Sequence, residues 1–90
     1  MLQLPSVFAS AEKRRELLYM LLHIGYQARM HSYEYFIRKG EFVSIVVLNP
    51  NWNLARIKLI RWNLDDSITA AKDIKTILKS LDPGIKIDIV

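Results

Sequence analysis

Ser32-Tyr33-Glu34-Tyr35-Phe36-Ile37-Arg38-Lys39-Gly40-Glu41-Phe42-Val43-Ser44-Ile45-Val46-Val47-Leu48 is the stretch that decides the fold. Aromatic and β-branched residues crowd both sides of a short glycine-containing turn, the composition of a β-hairpin. With Lys39-Gly40 as a two-residue loop, Arg38 opposes Glu41, Ile37 opposes Phe42, Tyr35 opposes Ser44 and Tyr33 opposes Val46. That register places Tyr33, Tyr35, Ile37, Phe42, Ser44 and Val46 on one side, and Glu34, Phe36, Arg38, Val43, Ile45 and Val47 on the other. A second strand apolar on both sides is expected to be central and at least partly covered on both.

Upstream, Ser10 precedes a charged turn and the apolar run Leu17–Ile24, so a helix is predicted over about 11–24 with Ser10 as its N-cap. Leu17, Leu18, Met20, Leu21, Leu22 and Ile24 are its expected buried stripe. Gly25 followed by Tyr26 reads as a left-handed stop with a hydrophobic clasp. The alternative is a helix reaching Met30, with Gly25 as an interior packing glycine.

Downstream, Asn49-Pro50-Asn51-Trp52-Asn53 is a turn cluster. Ala55-Arg56-Ile57-Lys58-Leu59-Ile60-Arg61-Trp62 then alternates at the period of a strand, setting Arg56 and Lys58 on one face. Residues 63–67 read as the cap of a second helix, with Ala71, Ile74, Ile77, Leu78 and Leu81 buried and Lys72, Lys75 and Lys79 outward. Asp82-Pro83-Gly84 stops it, and residues 85–89 alternate as a last edge strand. The fold class is α+β: helix, three-stranded antiparallel meander, helix, final strand, with both helices on one face of a four-stranded sheet.

The 90 residues make a single domain, 51% hydrophobic and 24% charged, which is globular rather than disordered composition. A chain this short buries only ~60–65% of its unfolded surface, so self-association is an expected source of stability. The absence of cysteine excludes disulfides and thiolate metal sites and fits a reducing, cytoplasmic setting. No apolar run approaches the ~18 residues needed to span a bilayer, so no membrane insertion is expected. The first eleven residues carry Ala9-Ser10-Ala11, but lack a charged leader segment and are interrupted by Pro5; no signal peptide is expected. A net charge of +4 and a pI near 9.6 favour anionic partners, although charges of roughly 2–8 are also usual for solubility alone.

Chemistry for catalysis is sparse. His23, inside the apolar run, is expected to be a hydrogen-bonded structural histidine, and His31 an exposed one. Neither has partners at metal-ligand spacing. Asp65-Asp66 reads as a helix cap rather than a carboxylate pair, and the three scattered glycines form no phosphate loop. No catalytic residue, metal or cofactor is assigned, and the protein is expected not to be an enzyme.

Element order supplies two resemblances. From about 10 to 81 the helix–three strands–helix outline is similar to the double-stranded RNA-binding domain, which implies phosphate contacts from the start of the second helix, nearest Lys72. The compact basic cluster and glycine turn of that family are missing. The whole order resembles the core of restriction-type nucleases, in which an Asp on one strand is followed by Glu-x-Lys on the next. Here Arg56-Ile57-Lys58 keeps the lysine and replaces the acid, so that resemblance implies a nuclease fold without nuclease activity. Topology assigns neither membership.

Two functions compete on these residues. One is a non-catalytic domain binding RNA or DNA through Arg38, Lys39, Arg56, Lys58, Lys72, Lys75 and Lys79. The other is a homodimer or protein-interaction module with Tyr33, Tyr35, Phe42 and Trp52 at its interface. If Tyr33 and Tyr35 adjoin Arg56 and Lys58, aromatic planes and cations combine into a base-stacking, phosphate-holding surface; otherwise the tyrosines pack under the helices. Trp62 is expected to pack where strand meets helix, and Trp52 to fold back from its turn or stand exposed.

Overall fold

The computed structural model describes residues 5–90, so part of the leader reading lies outside them. The elements are α1 (Ala11–His23), β1 (Gln27–His31), β2 (Glu34–Lys39), β3 (Glu41–Asn49), β4 (Leu54–Leu59), α2 (Leu64–Leu81) and β5 (Lys86–Ile89), with 3₁₀ turns at Val7–Ala9, Pro50–Trp52 and Arg61–Asn63. The strands form one five-stranded sheet in the order β1-β2-β3-β4-β5. β1 to β4 are an antiparallel meander, and β5 pairs parallel to β4 after the α2 crossover that parallel pairing requires. The α+β class and the edge position of the last strand stand. The three-stranded meander and four-stranded sheet are corrected to a four-stranded meander within five strands.

The added strand is β1. It pairs with β2 from Gln27↔Arg38 to His31↔Glu34, leaving Ser32 and Tyr33 as the turn. Ser32 there adopts φ 55, a value that glycine or asparagine usually signals, so the turn left no ordinary mark in the sequence. Gly25, at φ 103, ends α1 as expected: its N–H donates to Leu22 O and the Tyr26 N–H to Leu21 O. The helix therefore does not reach Met30.

The hairpin register also differs from a two-residue loop. Lys39 pairs with Glu41 across Gly40 alone, Arg38 pairs with Phe42, and the ladder then shifts so that Ile37 meets Ser44. Val43 is the extra residue of this β-bulge. Val43 and Ser44 are both buried, whereas Phe42 turns outward beside Arg38. The bulge thus exchanges the faces assigned to Phe42 and Val43.

Both helices lie on one face: α2 packs over β3 and β4, α1 over β1, and the helices touch each other. Beneath them Tyr35, Ile37, Val46, Leu48, Ala55 and Ile57 meet Leu17, Leu21, Ile74 and Leu78, with Phe8 closing one end. α1 buries only Leu17 and Leu21 fully, while Leu22 and Ile24 are exposed and His23 lies on the surface. An apolar run at 100° per residue wraps the whole helix, and only its i, i+4 stripe can face the sheet. His23 is therefore on the surface and, among the described residues, without the side-chain hydrogen bond of the structural histidine expected, while His31 is exposed as expected.

Polar side chains fix the ends of the elements. The Ser10 hydroxyl caps α1 at Lys13 N–H. The α2 N-cap, Asn63, makes no capping bond; its Nδ2 donates instead to Phe42 O at the bulge. The hydroxyl of Ser67 accepts the Ile60 N–H at 2.9 Å and is itself buried. Ser6 donates to Asp82 Oδ2 at 2.6 Å, clasping the start of the described chain to the end of α2. A hydrogen bond to a charged group is worth about 1.5–3 kcal/mol, more than the exposed Lys13–Glu16 ion pair, for which about 0–1 is usual.

Ser67→Ala would leave the buried Ile60 amide unpaired, and a loss of about 1–3 kcal/mol is expected in urea denaturation at unchanged slope. Alkaline pH supplies a second test. Burial pushes the Tyr26 hydroxyl well up, helped by its hydrogen bond to Asp73; burial also raises Tyr35, partly opposed by Arg14. Because the folded state favours the neutral phenols, their contribution is complete below pH ~10 and is lost as pH climbs further. The Tyr26→Phe/Tyr35→Phe variant should therefore show a shallower decline of urea midpoint above pH ~10 than the parent.

Candidate nucleic-acid interface

Strand alternation distributes side chains between the helix-covered face and a helix-free one. On the helix-free face, the register aligns Arg29, Phe36, Ile45 and Lys58 in one row across four strands. A second row runs His31, Glu34, Val47, Arg56 and Asp88. Gln27, Arg38 and Phe42 flank the first row, and Asn49, Leu54 and Lys86 flank the second.

Arg29, Arg38, Arg56, Lys58 and Lys86 are the cations of this face, against the carboxylates Glu34 and Asp88. Asp88 pairs with Arg56 at 3.3 Å, both side chains about half exposed. Among the described residues neither Arg29, Arg38 nor Lys58 has a carboxylate at ion-pair distance. The Arg38 guanidinium lies 5.2 Å from the Phe42 ring centroid and donates to Gly40 O. Gln27, Ala28, Arg29, Phe36, Arg38 and Phe42 line a depression of about 230 Å³. Phe36 is half-buried in this surface, and its ring meets His31 edge-on with centroids 6.2 Å apart.

The structure separates the basic residues singled out in the sequence. Arg38, Arg56 and Lys58 share the helix-free face. Lys39 does not; its ammonium lies over the Tyr26 ring, 5.3 Å from the centroid. Lys72 and Lys75 stand on α2, lining a depression with Leu59, Ile68, Ala71 and Ile89. Lys79 donates to the Ile85 carbonyl and secures the loop into β5.

The aromatic half of the expected surface is corrected. Tyr35 is fully buried, its hydroxyl donating to Arg14 O at 2.8 Å, so it belongs to the core and not to an interface. Tyr33 sits in the β1–β2 turn under the Arg14 guanidinium, 4.2 Å from its ring centroid. With Trp52, 72% exposed, it lines a separate depression of about 270 Å³ alongside Ala9, Leu48 and Pro50. Trp52 therefore does not fold back onto the core. Trp62 is also exposed, because β4 ends at Leu59 and the following 3₁₀ turn carries the indole outward. Neither tyrosine adjoins Arg56 or Lys58; Phe36 and Phe42 are the rings that share a face with them.

Sequence reasoning missed Arg29 and Phe36. Arg29 stands in Gln27-Ala28-Arg29-Met30-His31, which alternates as a strand but has no β-branched or aromatic residue to announce one. Alternation puts Phe36 on the correct side of its strand, but its alignment with the cations depends on the β3–β4 register, which the sequence leaves open.

Among the described residues no group of three or more His, Cys, Asp or Glu could hold a metal ion, and no helix is long and apolar enough to cross a membrane. Comparison with known protein families, curated proteins and solved structures finds no match to this chain.

Proposed function

We propose that this protein is a non-catalytic domain that binds nucleic acid through the helix-free face of its sheet. The observation that carries this reading is the row Arg29-Phe36-Ile45-Lys58, in which an aromatic and an aliphatic side chain lie between two cations without carboxylate partners. Cations bind phosphates by releasing counterions, and an aromatic plane between them offers bases a stacking surface. The basic pI suits RNA or DNA as partner.

The cations separate by face, and their roles should separate with them. Binding to short RNA and DNA oligonucleotides is expected to weaken steeply as salt rises. Arg29→Gln and Lys58→Gln should each lower the slope of log affinity against log salt by about one. Lys72→Gln and Lys75→Gln should leave affinity within about twofold, because those side chains stand on the helix layer. Absence of binding at low salt, measured by fluorescence anisotropy, would overturn the reading.

A second reading, self-association as a homodimer, rests on a different surface. Trp62, Ile68, Ile89 and Val90 are 77%, 40%, 45% and 47% exposed, and Ile68 and Ile89 line one depression beside the free edge of β5. An uncovered strand edge with apolar neighbours is a template for pairing with a second copy. Sedimentation equilibrium should then give a dimer that Ile89→Lys dissociates; a monomer at high concentration would dismiss this reading without touching the first.

A further inference from the structure

Resting on the nucleic-acid reading above, we infer that the helix-free face selects single strands, with unpaired bases stacked on Phe36 and Phe42 and phosphates held by Arg29, Arg38 and Lys58. Three observations meet here. The first is shape. Both helices lie on the other face of the sheet, so among the described residues no helix projects from this one to enter a duplex groove. A duplex keeps its base planes inside and presents phosphates at its rim, whereas a single strand can splay its bases onto an aromatic platform.

The second is the placement of the rings. Phe36 lies within the surface rather than above it, and shares its depression with Phe42, Arg29 and Arg38. A paired base cannot descend to a half-buried ring without leaving its stack, and flipping it out carries an unpairing and unstacking cost. An unpaired base pays little of that cost. The third is spacing. Neighbouring strands lie about 4.8 Å apart, so Arg29 on β1 and Lys58 on β4 are about 14 Å apart across three strand intervals. A sugar–phosphate chain crossing the sheet can meet cations at both margins while its bases lie over Phe36 and Ile45 between them. The Arg38 guanidinium, held by Gly40 O beside Phe42, supplies a further cation at the edge of that path.

The test compares three probes of equal length by fluorescence anisotropy with the full chain at low and moderate salt: oligouridine, oligothymidine and a mixed-sequence duplex. Both single strands are expected to bind at least about tenfold tighter than the duplex, and a difference between them reports whether the 2′-hydroxyl is read. Phe42→Leu, at a residue 39% exposed, should retain the fold and weaken single-strand binding about 5- to 150-fold, the range for loss of one stacked base. Phe36→Leu should do the same wherever its circular dichroism matches the parent. Duplex bound as tightly as single strands, with salt dependence intact, would overturn the selectivity and leave the binding face standing. Single-strand binding unchanged by Phe42→Leu would overturn the stacking assignment. Failure of all three probes to bind at low salt would remove the underlying reading as well.

Discussion

The bulge at Val43 is the constraint on which the rest of this structure depends. A strand has only two faces, and one extra residue exchanges them for everything beyond it. Here the exchange puts Val43 into the core and turns Phe42 outward beside Arg38. The irregularity is held from outside the sheet, because Asn63 at the start of α2 donates to the Phe42 carbonyl. A helix terminus and a strand defect therefore stabilise each other. Without the bulge, Phe42 would take the place of Val43 beneath α2, Val43 would turn outward, and the outer face would lose one of its two rings.

The single-sided placement of the helices follows from chemistry under them. Tyr35 brings its hydroxyl to Arg14 O, and Tyr26 brings its own to Asp73, so both large polar-tipped rings are satisfied within the helix layer. Ser44 donates to Lys58 O, and Ser67 accepts from Ile60 N–H. These bonds let a small core bury polar groups with few left unpaired. Among the described residues the opposite face has no such layer. It mixes Phe36, Ile45 and Val47 with arginine and lysine, a composition too charged for a core and too apolar for an indifferent solvated surface.

Much of the architecture was legible because local signals agreed. Gly25 followed by Tyr26 marked the end of α1, the Asn49–Asn53 cluster marked the β3–β4 turn, and Asp82-Pro83-Gly84 marked the end of α2. Where signals were weak, structure was missed. Gln27–His31 has the right alternation but lacks strand-forming residues, and it becomes a strand only because β2 offers it a partner. The Ser32 turn relies on a non-glycine residue at positive φ. The candidate site was half legible for the same reason. Arg56 and Lys58 were visible from period alone, whereas their association with Phe36 rather than Tyr35 needed the cross-strand register, a long-range property that periodicity does not encode.

Arg56-Ile57-Lys58 gains its meaning from that register. The parallel pairing of β4 with β5 sets Asp88 directly beside Arg56. An exposed pair of this kind contributes about 0–1 kcal/mol, too little to explain the position by stability. Its larger effect is electrostatic. Asp88 offsets Arg56 at the β5 margin, while Lys58, one step along β4, stays without a carboxylate in the row that also holds Phe36 and Arg29. Positive potential is thereby weighted toward the row with the aromatic ring. Alternation alone would give a uniform cationic stripe; the last strand converts it into a surface with one basic, aromatic side and one neutralised edge.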